Sequence, residues 1–121
     1  MQELRDPTHR QFGTPLSVWL KHFENELPID AVGIWQIVPV LKNDFALQGN
    51  ELVQAVRSAI RNLLAAGAIP VEGIDSNRWR AREDLAAPGE LGVNLVVQYW
   101  QQLDHEPHVG DIWFALPSDV A

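Results

Sequence analysis

Residues 50–67 constrain the fold most strongly, because they combine a helical apolar stripe with a termination signal at each end. Asn50 can cap the first turn, Glu51 suits the positive end of the helix dipole, and Gly67 suits a left-handed residue after the last turn. Between these ends, apolar side chains recur at helical spacing: Leu52, Val53, Val56, Ile60, Leu63 and Leu64. The pattern predicts an amphipathic helix that packs its stripe against the rest of the chain.

Two further helices are predicted before this one. Thr14 and Pro15 indicate a helix start, with threonine as the N-cap and proline at the first helical position, and Pro28 ends that helix. Asp30 can cap a second, shorter helix whose side chains are apolar on nearly every side, so it is predicted to be buried. Pro39 ends or kinks it.

The remaining elements are shorter. Residues 91–103 suit a helix by their apolar spacing and a strand by their β-branched and aromatic run, and we predict a helix because Pro88 precedes them. Residues 69–71 and 112–116 are predicted to be short strands that pair antiparallel. The charged segment 78–84 is predicted to be a loop or one helical turn.

The predicted fold class is α+β and mainly helical, with a three-helix N-terminal unit, a fourth helix and a short two-stranded antiparallel sheet. A chain of 121 residues predicts a single domain, residues 1–121, in which the polar residues 1–13 form a flexible N-terminal arm. The predicted core is drawn from the helices and the last strand: Trp19, Phe23, Ile34, Trp35, Val56, Ile60, Leu64, Leu95, Tyr99 and Trp113.

Composition excludes several classes of function. The chain has no cysteine, which rules out disulfides and cysteine-based metal or redox sites and fits a reducing compartment. The first residues lack the pattern of a signal peptide and no apolar run is long enough to cross a membrane, so a cytoplasmic location without membrane contact is expected. No nucleophile elbow or glycine-rich phosphate loop occurs, so we predict no enzymatic activity and no cofactor.

Charge is unevenly distributed along the chain. Residues 1–82 contain nine acidic and nine basic residues, whereas residues 83–121 contain seven acidic residues and no lysine or arginine. The formal net charge of −7 therefore comes from the last third. An acidic surface speeds encounter with a basic partner. The predicted partner-binding residues are three carboxylates and one aromatic anchor: Asp104, Glu106, Asp111 and Trp100.

A second group of candidates is basic. Arginines lie on the central helix and alternate around Trp79, which can indicate contacts to bases and phosphates or pairing with neighbouring acids. The candidate nucleic-acid-binding residues are Arg57, Arg61, Arg78, Arg80 and Arg82.

Histidines near the C-terminus form a third group. His105, His108 and Asp111 lie within seven residues and are residue types that ligate metals. Pro107 interrupts a helical presentation of the two histidines, and no histidine or cysteine follows to complete the set. We therefore predict a surface turn without a metal.

Two resemblances complete the sequence evidence. The run at residues 63–69, Leu-Leu-Ala-Ala-Gly-Ala-Ile, resembles the junction of the third helix and first wing strand in winged-helix proteins, over residues 30–72. That resemblance implies a DNA-binding regulator acting as a dimer, although an acidic total opposes nucleic-acid binding. Small size, acidity and lack of cysteine also resemble bacterial immunity proteins, which neutralise a basic toxin domain. We predict a non-enzymatic protein-interaction module of the immunity or adaptor type, with the DNA-binding regulator as the alternative.

Overall fold

The computed structural model describes residues 6–75 and 78–120, and within these ranges the fold is α+β with four α-helices and a four-stranded antiparallel sheet. In chain order the elements are α1 (Leu16–Glu26), β1 (Val32–Gly33), α2 (Ile34–Pro39), α3 (Gly49–Ala65), β2 (Ile69–Asp75), β3 (Arg78–Ala81), α4 (Gly89–Gln101) and β4 (Trp113–Ala115). A π-helical turn, Val40–Asp44, extends α2, and two 3₁₀ turns occupy Glu83–Leu85 and Pro117–Asp119. No helix in the described ranges is both long enough and apolar enough to cross a bilayer.

Helix α3 forms where the apolar stripe predicted it, and that stripe is buried. Val56, Ile60 and Leu63 have no exposed surface. The prediction of Asn50 as the N-cap was wrong, because the helix begins two residues earlier, at Gly49, with Gln48 at the N-cap position. Gly67 after its end adopts the expected left-handed conformation with φ of 100°. The segment that suited either a helix or a strand is helical, as α4.

The sheet has the order β1-β4-β2-β3, and the predicted antiparallel pairing of β2 with β4 is confirmed by the opposition of Ile69 to Ala115 and of Val71 to Trp113. The prediction of only two strands was wrong, because β1 and β3 extend the sheet at its two edges.

The two strands that were not predicted form for different reasons. Strand β1 depends on a partner strand that is distant in sequence, and β3 is accompanied by ion pairs across a hairpin. Residues 32–33, predicted to be helical, pair with β4 instead, and the helix starts only at Ile34. A Cβ atom at Gly33 would lie 2.5 Å from Cδ1 of Trp35 and 3.1 Å from Trp113, so glycine allows both indoles to lie close to this strand. Strand β3 replaces the predicted loop, and its exposed Arg80 pairs with Glu72 of β2 at 3.1 Å.

The two faces of the sheet are covered differently. One face packs against the helices, and its central Phe114 has no exposed surface. The opposite face carries a small cluster built on Val71 and Ala115, against which Trp79 and Trp113 are only partly buried. The prediction of Trp35 as a core residue is wrong, because it is 36% exposed, and the predicted core residues Trp19 and Trp113 are only partly buried. Aliphatic side chains fill most of the core, together with Phe23, Phe45 and Phe114.

Within the predicted N-terminal arm, residues 6–13 are mostly exposed and contact α1 and its neighbours chiefly through Asp6 and His9. His9 is 3% exposed and lies against the rings of Trp19 and Phe45. The carboxylate of Asp6 accepts hydrogen bonds from the Ser17 backbone N–H at 2.9 Å and from its hydroxyl at 2.8 Å, so it caps the first turn of α1. The remainder of the predicted arm, residues 1–5, lies outside the described ranges.

Candidate functional site

An open groove of about 560 Å³ lies between the end of α4, the loop that follows it, and helices α2 and α3. Apolar side chains from three elements line it, among them Val38, Leu52 and Trp100. Asp104 and Glu106 line the same groove from the loop. Three of the four predicted partner-binding residues are thus brought together, and we call this feature the α4 groove.

The charged side chains of the α4 groove differ in their exposure and in their pairing. The side chain of Asp104 is 98% exposed, and its only described polar contact outside its own backbone is with the neighbouring His105. Glu106 forms an ion pair with Lys42, and both side chains are largely exposed. An exposed pair of this kind contributes little to stability, so either member can exchange its partner for a group on another molecule.

Asp111, the fourth predicted partner-binding residue, is placed differently. It is 8% exposed, and its carboxylate accepts hydrogen bonds from the His108 backbone N–H at 2.8 Å and from the Tyr99 hydroxyl at 3.3 Å. Burial by itself would raise the pKa of Asp111, but the His108 N–H and the His105 side chain outweigh burial and lower that pKa below its usual value. Asp111 therefore organises the loop from within and presents no free carboxylate to a partner.

His105 lies between two carboxylates. Its Nδ1 is 2.9 Å from Oδ1 of Asp104, and its Nε2 is 3.1 Å from Oδ2 of Asp111. The hydrogen bonds to Asp104 and then to Asp111 raise the pKa of His105 above its usual value. The His105 ring also stacks on that of His108, with centroids 4.6 Å apart.

One ligand-type atom from each of His105, His108 and Asp111 lies within 4.8 Å of the other two. We call these three residues the loop cluster. The sequence analysis considered all three as metal-ligand types. The turn from His108 to Asp111 brings them together in space, and it is closed by a hydrogen bond of 2.9 Å from the Asp111 N–H to the His108 carbonyl. Sequence reasoning missed Tyr99, whose position on the inner side of α4 places its hydroxyl next to Asp111.

The five candidate nucleic-acid-binding arginines do not form one free basic surface. On α3, Arg61 Nε lies 2.5 Å from Glu90 and Arg57 Nη1 lies 2.6 Å from Asn94, so both arginines face α4. The α3 arginines therefore join two helices of the same chain.

The other three arginines lie on the β2–β3 hairpin and directly after it. Arg78 pairs with Asp75 at 3.2 Å, and Arg80 pairs with Glu72. Arg82 forms two hydrogen bonds of 2.9 Å with Asp84, and its guanidinium lies over the Tyr99 ring. Each of these arginines has a carboxylate partner within the described chain.

No protein-family model, curated protein or solved structure matches this chain, so its function has to be inferred from its own residues. The α4 groove combines exposed acidic groups with apolar surface, whereas the candidate arginines are engaged within the fold. The loop cluster offers two imidazoles and a carboxylate at one point beside the groove.

Proposed function

We propose that this protein is a non-enzymatic protein-interaction module that binds a basic segment of a partner protein in the α4 groove. The observation that carries the proposal is the convergence of Trp100, Asp104 and Glu106 on one open groove. This chemistry fits an immunity or adaptor role, in which an acidic protein covers a basic surface such as that of a toxin domain.

The groove offers the two kinds of contact that such an interface needs. Trp100 is half-buried and lies beside Leu52 and Val38, so a partner's apolar side chain, or the stem of a lysine or arginine, can pack there. Asp104 stands at the rim, where an exposed carboxylate steers a basic group toward the groove. Glu106 can exchange Lys42 for a partner cation.

Folding distinguishes Asp104 from several other acids of the last third. Glu90 is engaged by Arg61 of α3, and Asp84 by Arg82. Asp104, by contrast, has no arginine or lysine against it in the described chain, although it lies in the same acidic third. Among the acids of the last third, Asp104 therefore combines exposure with a place on the α4 groove and no lysine or arginine partner in the described chain, whereas the exposed Glu83 and Asp119 lie outside the groove.

The test is capture of partners from native lysate at low salt, after nuclease treatment, with charge-reversed variants. The groove variant carries Asp104→Lys and Glu106→Lys. The matched control carries Glu83→Lys and Asp119→Lys, which alter net charge equally at exposed acids that do not line the groove. We expect a basic protein to be retained by the wild type and the control and lost by the groove variant.

Kinetics with the captured partner sharpen the result. The groove variant should associate at least about tenfold more slowly than the control at low salt, and the difference should shrink as salt increases. Equal association of both variants would show that the groove is not the interface. A lysate that yields no protein partner for the wild type would count equally against the proposal.

A winged-helix-like regulator that binds DNA as a dimer is the second candidate. The β2–β3 hairpin follows α3 directly, as a wing follows a recognition helix, and it carries the largely exposed Arg78 and Arg80. Against it, α4 packs along α3, and Glu90 engages the arginines that a recognition helix would present to DNA.

DNA binding would be measured by fluorescence anisotropy with a random-sequence duplex over a range of salt concentrations. Under the second candidate, Arg78→Ala with Arg80→Ala should weaken binding and reduce the salt dependence, and size-exclusion chromatography should show a dimer. A wild-type chain that does not bind the duplex at low salt would eliminate this candidate.

A further inference from the structure

The loop cluster has a donor set and a geometry that the protein-interaction proposal does not use. Two imidazole nitrogens and one carboxylate oxygen suit Zn²⁺ and related dications, whereas Mg²⁺ and Ca²⁺ prefer oxygen ligands throughout. We propose that His105, His108 and Asp111 bind a divalent transition-metal ion of the Zn²⁺ type.

The separations in the cluster are close to those that a metal requires. In a tetrahedral zinc site with bonds of about 2.0–2.1 Å, neighbouring ligand atoms lie about 3.4 Å apart. His105 Nε2 lies 3.1 Å from Asp111 Oδ2, and His108 Nδ1 lies 3.9 Å from the same oxygen. The side chain of His108 is largely exposed, and its ring has to turn away from the Gly110 N–H before Nδ1 can approach the other two ligand atoms.

The surroundings orient the ligands before any metal binds. Asp104 accepts a hydrogen bond from Nδ1 of His105, which leaves Nε2 to face Asp111, and this carboxylate–histidine–metal arrangement is common around protein metal ions. Asp111 itself is held by the His108 N–H and by the Tyr99 hydroxyl. A ligand set held by such contacts loses little conformational freedom when it binds a metal.

The turn that carries His108 is also shaped for the site. Without a metal, Nδ1 of His108 accepts a hydrogen bond from the Gly110 N–H at 3.0 Å, so a metal ion has to replace this hydrogen bond in order to bind Nδ1. A Cβ atom at Gly110 would lie 2.9 Å from Cε1 of His108, so glycine allows the ring to stay close to the backbone. The Trp113 indole N–H donates to the carbonyl of Val109 at 2.9 Å and holds the same turn to β4.

Calorimetric titration of the tag-free, chelator-treated full chain with Zn²⁺ tests the proposal, with Mg²⁺ as a comparison ion and Co²⁺ as a spectroscopic probe of coordination. The key variant is His108→Gln, because its side chain is exposed and the change leaves the buried network intact. The matched control is His22→Gln, an exposed histidine on α1 outside the cluster.

We expect one Zn²⁺ per chain for the wild type and for the His22→Gln control, with equal affinity and no response to Mg²⁺. His108→Gln should bind Zn²⁺ at least about tenfold more weakly, and Asp104→Asn should weaken it by about tenfold through the lost support of His105. Gly110→Ala should also weaken binding, because its methyl group displaces the His108 ring.

Circular dichroism of each variant before titration verifies that the fold is kept. Absence of saturable Zn²⁺ binding by the wild type would overturn the proposal. Equal affinity of His108→Gln and His22→Gln would do so as well, since the metal would then bind elsewhere. Neither result bears on whether the α4 groove binds a partner.

Discussion

Replacing Gly92 with alanine tests how closely the segment before α4, at Ala87, approaches the first turn of that helix. Gly92 is buried, and a Cβ atom there would lie 2.2 Å from the carbonyl oxygen of Ala87 and 3.5 Å from the Cδ1 atom of Leu64. The contact with Ala87 arises because Cα–Cβ bonds tilt toward the N-terminus of a helix, where the preceding segment crosses close to α4.

The magnitude follows from two opposing effects. Alanine is favoured over glycine inside a helix by about 1 kcal/mol. Carbon and oxygen atoms normally stay about 3.3 Å apart, so the methyl group requires a movement of about 1 Å against a backbone atom. Overpacking of this kind costs about 1–3 kcal/mol, and a backbone neighbour places the cost at the upper end of that range. We expect a net destabilisation of about 1–2 kcal/mol.

Urea unfolding followed by tryptophan fluorescence and by circular dichroism measures the change. The midpoint should fall, and Tm should decrease by about 4 °C for each kcal/mol in a chain of this size. Gln98→Ala is the matched control, because Gln98 is exposed in the same helix and gains helix propensity without a clash. A Gly92→Ala variant as stable as the wild type would refute the close approach of Ala87.

Two further predictions concern the core and the start of α1. Ile60→Ala should lower the free energy of unfolding by about 2–5 kcal/mol, since Ile60 has no exposed surface, and a loss below about 1 kcal/mol would contradict its burial in α3. Asp6→Ala should lower Tm at neutral pH by removing the cap on Ser17. That backbone hydrogen bond lowers the folded-state pKa of Asp6, so the stabilisation is full above the ordinary aspartate pKa and disappears as pH falls through the lowered value. A Tm difference independent of pH would contradict it.

Elements defined by local signals were predictable. Helix α3 has an apolar stripe and a glycine after its last turn, and α4 follows a proline, so their sequences indicate where they lie. The pairing of β2 with β4 was also predictable in outline. Strand β1 was not, because a strand of two residues exists only through its hydrogen bonds to β4. Strand β3 was not predicted because its alternating arginines are typical of an exposed loop. Their ion pairs with the neighbouring strand form only once the hairpin is in place.

The candidate site was predicted in part. Trp100, Asp104 and Glu106 follow one another closely at the end of α4, so their shared position on one groove follows from short-range chain geometry. Burial of Asp111 does not, because it depends on Tyr99, twelve residues earlier, and on the turn at His108. A carboxylate in a polar loop looks exposed until the surrounding elements are in place.

The sequence by itself determined the composition of the surface and the apolar stripes, because charge, side-chain type and helical spacing are local properties. It placed the entire net charge of −7 in the last third. Only the tertiary structure decided how that charge is presented: Arg61 of α3 engages Glu90 and Lys42 engages Glu106, whereas Asp104 stays at the rim of the α4 groove. Electrostatic interactions act across space and not along the chain, which is why acids segregated in sequence become mixed with bases once the helices pack together.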